Sequence, residues 1–336
     1  VYEVSQKFRE MREFMDFSTD YFSAINDNFI RTTNPVHKKI VQDIWRLMVK
    51  NGWIYEGKYT GWYCVSDEAY YTEDELIKDE TGKFFTEIGK EVEWREEESY
   101  FFKLSEFQNI LLELYKRKPE FIQPDDKRNE IIAFVSGLSI KDFEEGKAPK
   151  TNYLQDISVT RNNFDWGIRI PCDLKGKELL DEKFEWKNDL IQKEKHVIYV
   201  WLDALFNYIT ALGGLNSDEY NKYWKDGKVV HVIGKEISRF HSVYWPAFLI
   251  ACKYKEDELK NKKIDEKLID EIYEILPKTV LVHGWWTAEG RKISKSFGNV
   301  IIPKEEIERL KTTYNISEEL AKDYLRYYLI SSIPFG

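Results

Sequence analysis

Residues Arg291 to Asn299 read RKISKSFGN, which sets Lys292, Ser294, Lys295 and Ser296 around a single apolar Ile293. The segment is rich in donors and poor in acceptors. Lysine ammonium groups on flexible stems can follow a phosphate charge as it shifts, and serine hydroxyls can donate to phosphate oxygens, so the chemistry on offer is that of a polyphosphate clamp. Two lysines within four residues are, taken alone, more often a solvated basic loop, and short motifs match by chance. The flanking elements decide between the two.

Strands and helices alternate around the lysines. TVLVHGWW, just ahead of them, is a compact apolar run rich in β-branched residues, as is HVIYVWL further upstream, and both suit buried parallel strands. Gly290 permits a turn, and Gly298 with Asn299 can close the loop that carries the lysines. KVVHVIGKEISRFHSVYWPAFLIAC joins an apolar run to a glycine and then to Ile237, Phe240, His241, Tyr244, Phe248, Leu249 and Cys252 at helical spacing. This predicts a strand, a turn and a helix, with Pro246 kinking or restarting the helix. Repeated units of this kind predict an α/β fold built on a doubly wound, Rossmann-type parallel sheet, whose ligands bind at the carboxyl ends of its strands.

Upstream, VHKKIVQDIWRLMVKNG predicts a helix through Ile40, Val41, Ile44, Leu47 and Met48 that stops at Asn51-Gly52. The aromatic, glycine-broken WIYEGKYTGWYCVSDEAYYTEDEL predicts short strands and turns, with a small β-rich insertion beginning near Thr60. SEFQNILLELYKRKP returns to helical period through Phe107, Ile110, Leu111 and Leu114, with Ser105 as its N-cap, and KDFEEGKAPKTNYLQD reads as a solvated connection. The mixed-charge stretches Lys175–Lys195 and Lys253–Pro277 read as exposed helices or loops without chemistry. NISEELAKDYLRYYLISS places Leu320, Ala321, Tyr324, Leu325 and Tyr328 on one face of a helix that opens at Ser317.

The 336 residues carry a net charge of -9, which argues against a broad coat of nucleic acid yet leaves room for a small basic site, because screening keeps charge local. Cys64, Cys172 and Cys252 are far apart and form no CxxC pair, which favours a reducing compartment without a cysteine-based zinc site. No apolar run reaches membrane-spanning length, and the chain starts at Val1 in what reads as mid-helix, as a fragment would.

RKISKSFGN resembles the lysine-serine signature of class I aminoacyl-tRNA synthetases, KMSKS, with Ile293 at the methionine position. The likeness extends through YVWLDALFNYITALG, HVIGKEISRFHSVYWPAFL, VHGWWTAEGRKISKS and LRYYLISSIPFG, and together these resemble the methionyl-tRNA synthetase family from Val1 to Gly336 apart from the charged insertions. The resemblance implies a methionine pocket of Trp201, Ala204, Tyr208, Ile237, His241 and Trp245. Those residue types suit a polarizable thioether, which favours aromatic contact. It implies an ATP site at Gly234, Glu236, His283, Gly284, Ile293, Ser294, Lys295 and Ser296. Within that site Gly234-Lys235-Glu236 matches a family Gly-x-Asp turn that holds the ribose hydroxyls, and glutamate replaces aspartate. Arg161 matches an arginine near the reacting carboxylate and phosphate, Lys295 would stabilise the leaving pyrophosphate, Lys292 would help shape the loop, and Asp203 would have a structural or amino-group-orienting role.

The implied reaction is the activation of L-methionine by ATP, aided by Mg2+, followed by transfer to tRNA(Met), in a cytoplasmic protein for which a monomer is favoured and an organellar form stays open. Cys64 has no partner cysteine, so the branch of the family without structural zinc is the better match. The family's His-x-Gly-His segment has no counterpart among His37, His196, His231, His241 and His283 and is expected upstream of Val1. By the same likeness, residues 1–59 form the first part of the catalytic domain, 60–158 a connective insertion and 159–302 the second part with the lysine loop. Residues 303–336 then lead toward an anticodon-binding domain. The alternative is a non-catalytic paralogue of the family that binds tRNA or protein partners.

Overall fold

The computed structural model describes residues 2–15, 30–64, 69–71, 73, 76–86, 89–162, 166–187, 190, 194–285, 287–288, 291–293 and 300–331. The first helix, α1 (Tyr2–Phe14), precedes α2 (Pro35–Lys50). Asn34 caps α2 by accepting the Val36 N–H at 2.9 Å, and Pro35 sits in the first turn, where its missing N–H leaves no bond unmade. The expected apolar face is present, with Val41, Ile44, Trp45 and Met48 buried, and Gly52 ends the helix at a φ of +86°.

Next comes a long antiparallel ribbon. β1 (Ile54–Cys64) pairs with β5 (Glu93–Phe102) from Ile54 opposite Phe102 to Tyr63 opposite Glu93. β2 (Ala69–Tyr71) extends its edge, and β3 (Leu76–Lys78) pairs with β4 (Phe84–Thr86). The root of the ribbon, with Ile54, Tyr100 and Phe102, belongs to the main core, whereas its far end has a small cluster of its own made by Cys64, Phe84 and Val92.

Helix α3 (Gln108–Arg117) follows a 3₁₀ turn at Leu104–Phe107. Ser105 does not cap it: it lies inside the 3₁₀ turn, Phe107 precedes the helix, and the Ser105 N–H and hydroxyl both donate to Asp156 Oδ1, at 3.0 and 2.6 Å. β6 (Ile122–Gln123), α4 (Asp125–Ser136) and α5 (Ile140–Glu144) follow, so the segment read as a solvated connection contains a short helix capped by Ser139. β7 (Ile157–Ser158) joins the root of the ribbon, and β8 (Thr160–Arg161) pairs antiparallel with β9 (Val197–Ile198).

HVIYVWL is therefore not a strand of the parallel sheet. Val197 lies opposite Arg161 and also bridges Arg169, both antiparallel, and the chain enters helix α6 (Val200–Thr210) at once. Val197 and Ile198 are buried, which satisfies the apolar pattern in either arrangement, and a short apolar run carries no information on strand direction.

The parallel sheet has the order β10 (Val230–Gly234), β11 (Thr279–His283), β6, with helices α7 (Trp245–Lys253), α8 (Glu256–Lys260) and α9 (Glu266–Tyr273) between β10 and β11. A 3₁₀ turn at Lys235–Ile237 and a π-helical stretch at Phe240–Tyr244 lead into α7, whose first turn holds Pro246. Widening the preceding turn removes the bond that proline cannot donate, so the helix restarts rather than breaks. The charged stretch Lys253–Pro277 is solvated on one side only, since Leu259, Leu268, Ile269 and Ile272 enter the main core; Leu179 and Leu180 are likewise buried within Lys175–Lys195.

After the sheet, β12 (Thr287–Ala288) and β13 (Arg291–Lys292) form a short antiparallel pair, followed by α10 (Pro303–Tyr314) and α11 (Glu318–Ser331). Met15, Ile307 and Ala321 make a second, smaller core that joins these helices to the end of α1. Ser317 caps α11 through the Leu320 N–H, but on the expected apolar face only Ala321 is fully buried. Tyr324, Leu325 and Tyr328 instead line an open groove of about 730 Å³. Among the described residues no helix is long and apolar enough to cross a membrane.

Candidate nucleotide and amino-acid site

The parallel register places Gly234 of β10 opposite His283 of β11, so the two residues sit side by side at the carboxyl ends of neighbouring strands. In a parallel sheet this is where the crevice for ligands opens. Glu236 follows two residues after Gly234 in an exposed 3₁₀ turn, and its Oε2 would lie 2.6 Å from a Cβ at position 234, so glycine is what lets the carboxylate rest against the strand end. Trp285, two residues after His283, donates its indole N–H to that same Oε2 at 2.7 Å, and Lys235 Nζ stands 4.0 Å from the indole ring. His283 Nδ1 lies 2.7 Å from the Gly284 carbonyl oxygen, which holds the ring against its own backbone.

Directly beyond Glu236 the surroundings change from polar to aromatic. Helix α6 carries Trp201, Ala204 and Tyr208, and the turn after β10 carries Ile237, His241 and Trp245. The structure brings these two elements together: the His241 ring lies 6.5 Å from Trp201 and 5.8 Å from Tyr208, and the Tyr208 ring 6.1 Å from Trp245. His241 Nδ1 is 3.0 Å from the Ile237 carbonyl, which can only accept, so this nitrogen carries the proton. Nε2 then accepts the Tyr208 hydroxyl at 2.8 Å. Burial pushes His241 below its ordinary pKa, and partial desolvation pushes Tyr208, which stays 36% exposed, above its own, which keeps both neutral.

Three further residues join this cluster beyond those expected there from the sequence. Phe240 stacks on Trp201 with ring centroids 3.7 Å apart and planes 8° off parallel. His231, buried on β10, accepts the Trp245 indole N–H at 3.2 Å and lies 4.3 Å from the Tyr208 ring. Trp224 packs on both His231 and Trp245. No alternation signal in the sequence marked His231, because along β10 the exposed positions are Val230 and Val232 while His231 is buried.

Arg161 reaches the start of α6. Its Nη1 donates to Ser158 Oγ at 2.6 Å and to the Thr160 carbonyl at 2.7 Å, and its guanidinium stands 4.4 Å from the ring of Tyr199, the residue that precedes the helix. Asp203, on the same helix, is engaged by His37 of α2, whose Nε2 lies 2.5 Å from Asp203 Oδ1 while Nδ1 lies 2.7 Å from Thr210 Oγ1. His37 thus ties both ends of α6, which gives Asp203 a structural partner.

Of the lysine loop, Ile293 is half-buried and lines the groove beside α10 and α11, and the Lys292 backbone pairs with Thr287. The Lys292 side chain, together with Gly290, Ser294, Lys295, Ser296, Gly298 and Asn299, lies outside the described residues. Cys64 is fully buried in its apolar cluster, and among the described residues no three His, Cys, Asp or Glu side chains stand together as a metal site requires.

A glycine turn and an acid at the carboxyl end of one of two paired parallel strands, with a cluster of aromatic side chains beyond Ile237, is the arrangement of a Rossmann-type α/β domain. More narrowly, the chain belongs to a class I tRNA synthetase family: it matches the family described as tRNA synthetases class I (M) over residues 3–336. It is 42% identical to the Methionine–tRNA ligase of Rickettsia conorii over 336 residues, covering 99% of this chain and 51% of that protein. With the Methionine–tRNA ligase of Brucella suis biovar 1 it shares 43% over 331 residues, 98% of this chain and 50% of that one. Mycobacterium tuberculosis methionyl-tRNA synthetase, solved in complex with methionyl-adenylate, superimposes with a TM-score of 0.69 at 34% identity, over 98% of this chain and 50% of that one. The chain thus spans about half the length of the relatives it matches. The expected family and the α/β, Rossmann-type fold are both borne out.

Proposed function

We propose that this chain is the catalytic region of a methionine–tRNA ligase, which activates L-methionine with ATP and passes the methionyl group to tRNA(Met). The observation that carries this reading is the junction at Ile237: the Glu236 carboxylate and the Tyr208–His241–Ile237 hydrogen-bond chain lie on either side of one residue. A neutral aromatic pocket favours a polarizable, uncharged thioether, and the neighbouring carboxylate favours ribose hydroxyls.

In the proposed reaction a methionine carboxylate oxygen attacks the α-phosphorus of ATP, the bond to the β-phosphate oxygen breaks, and pyrophosphate leaves. Such a displacement needs positioning and charge stabilisation rather than a covalent nucleophile. Arg161, oriented by Ser158 and the Thr160 carbonyl, supplies permanent positive charge near the reacting carboxylate and phosphate. Lys295 neutralises the departing pyrophosphate, Lys292 shapes the loop, and Ser294 and Ser296 donate to phosphate oxygens. His283 and Gly284 hold the adenine edge, and Trp201, Ala204, Tyr208, Ile237, His241 and Trp245 hold the methionine side chain. Mg2+, bound together with ATP, would supply further charge neutralisation on the phosphates. Structural zinc has no place in this reading, because Cys64 is packed among apolar side chains. The same reading takes the protein to be a cytoplasmic monomer.

Methionine-dependent exchange of pyrophosphate into ATP, measured on the protein expressed from its complete reading frame, tests the proposal. Preferential activation of leucine or isoleucine would overturn the pocket assignment. Absence of exchange, with binding of tRNA or a protein partner intact, would favour the non-catalytic paralogue.

A further inference from the structure

We infer that Trp285 is a positioning residue for the nucleotide: its indole N–H orients the Glu236 carboxylate for the ribose hydroxyls, a role the longer glutamate side chain makes possible. The inference rests on the nucleotide-site reading above.

Four observations converge on it. Trp285 Nε1 lies 2.7 Å from Glu236 Oε2, within the range of a charge-assisted hydrogen bond. Gly234 carries no Cβ, and one placed there would lie 2.6 Å from the same oxygen, so the carboxylate is seated against the end of β10. Lys235 Nζ, 4.0 Å from the ring centroid, holds the indole by a cation–π contact. The pairing of Gly234 with His283 then fixes the spacing, because Glu236 and Trp285 each follow two residues beyond a paired strand end.

The geometry addresses what glutamate does at this position. One extra methylene moves a carboxylate by about a bond length and adds a rotatable torsion, which loosens it unless something restrains it. The indole N–H is that restraint. A carboxylate has two oxygens with about four acceptor sites, so Oε2 can accept from Trp285 while Oε1 faces a ribose hydroxyl. Trp285 touches no reacting atom in this arrangement; it acts through Glu236.

The test compares adenosine with 2′,3′-dideoxyadenosine, by direct binding to the complete protein and to Trp285→Phe. Phenylalanine keeps an aromatic face for Lys235 and removes the N–H together with the pyrrole part of the indole, whose lost packing would weaken binding of both nucleosides alike. Wild type is expected to prefer adenosine, and W285F to lose about tenfold in adenosine affinity, as expected for a hydrogen bond to a charged acceptor, with dideoxyadenosine affinity unchanged. Glu236→Asp is expected to reproduce the loss because the shorter side chain cannot reach the indole, and the double variant is expected to be no weaker than either single one.

A preference for adenosine that survives in W285F, or an equal loss for both nucleosides, overturns the inference, since the first makes the indole idle and the second makes it general packing. A wild type that does not distinguish the two nucleosides overturns it as well. Absence of methionine-dependent pyrophosphate exchange with the nucleoside pattern intact would sink the ligase reading and leave this inference standing.

Discussion

His37 Nε2 stands 2.5 Å from Asp203 Oδ1, and this contact ties the first turn of α2 to the helix that carries Trp201, Ala204 and Tyr208. The His37 side chain is wholly buried and Asp203 retains 17% exposure, so removing the imidazole leaves a carboxylate that water reaches only in part. His37→Ala is therefore expected to cost about 2–3 kcal/mol, below the range for a fully buried pair, in urea unfolding. It should also raise the KM for methionine more than that for ATP. A loss under about 0.5 kcal/mol, the scale of an ordinary surface substitution, would show that the contact does not hold α6.

Tyr208 donates to His241 Nε2 at 2.8 Å, and that bond sets the rotamers of both rings. Tyr208→Phe should raise the methionine KM by about tenfold, the effect of one lost hydrogen bond beside a binding pocket, while the ATP KM changes little. An unchanged methionine KM would remove Tyr208 from the pocket.

His231 is held neutral by burial and by the nearby His241, which push its pKa from 6.5 down to about 3. The unfolded chain binds that proton more readily, so folding stability associated with His231 is fully present above about pH 6.5 and is lost as pH falls toward 3. The slope from this one group approaches about 1.4 kcal/mol per pH unit within that window. His231→Gln keeps an acceptor for the Trp245 N–H and does not titrate, so its stability should fall less steeply between pH 6.5 and pH 4 than that of the parent. Equal slopes in urea titrations would mean that His231 is not buried neutral.

Lys295→Ala should lower pyrophosphate exchange by about two to three orders of magnitude, the range for removing one group that stabilises transition-state charge, with methionine affinity nearly unchanged. A matching loss of methionine affinity would place Lys295 in the pocket instead of on the phosphates.

Local elements around the candidate site were legible in the sequence. The strand and glycine turn at KVVHVIGKE were readable because apolar periodicity and glycine are local signals, and the turn indeed ends β10 at Gly234. HVIYVWL misled for the complementary reason: its apolar run satisfies burial in any sheet, and only the partners Arg161 and Arg169 reveal that Val197 pairs antiparallel. Ser105 had the sequence of a helix cap, but a 3₁₀ turn that contains it precedes the helix, and its hydroxyl donates to Asp156, 51 residues away. Lys253–Pro277 looked like a solvated charge run because half of each short helix is, while Leu268, Ile269 and Ile272 pack beneath.

By itself the sequence determined the chemistry available: a donor-rich segment at RKISKSFGN, aromatic rings on two segments, and a carboxylate after a glycine turn. Residue type and local spacing are covalent facts and survive in the unfolded chain. Which of these groups meet was decided by tertiary structure alone, as in His37 with Asp203 across 166 residues, Trp285 with Glu236 across 49, and the Tyr208 hydroxyl with His241 across 33. A hydrogen bond depends on approach to about 3 Å and on direction, and chain distance encodes neither until the sheet register and helix packing have set both.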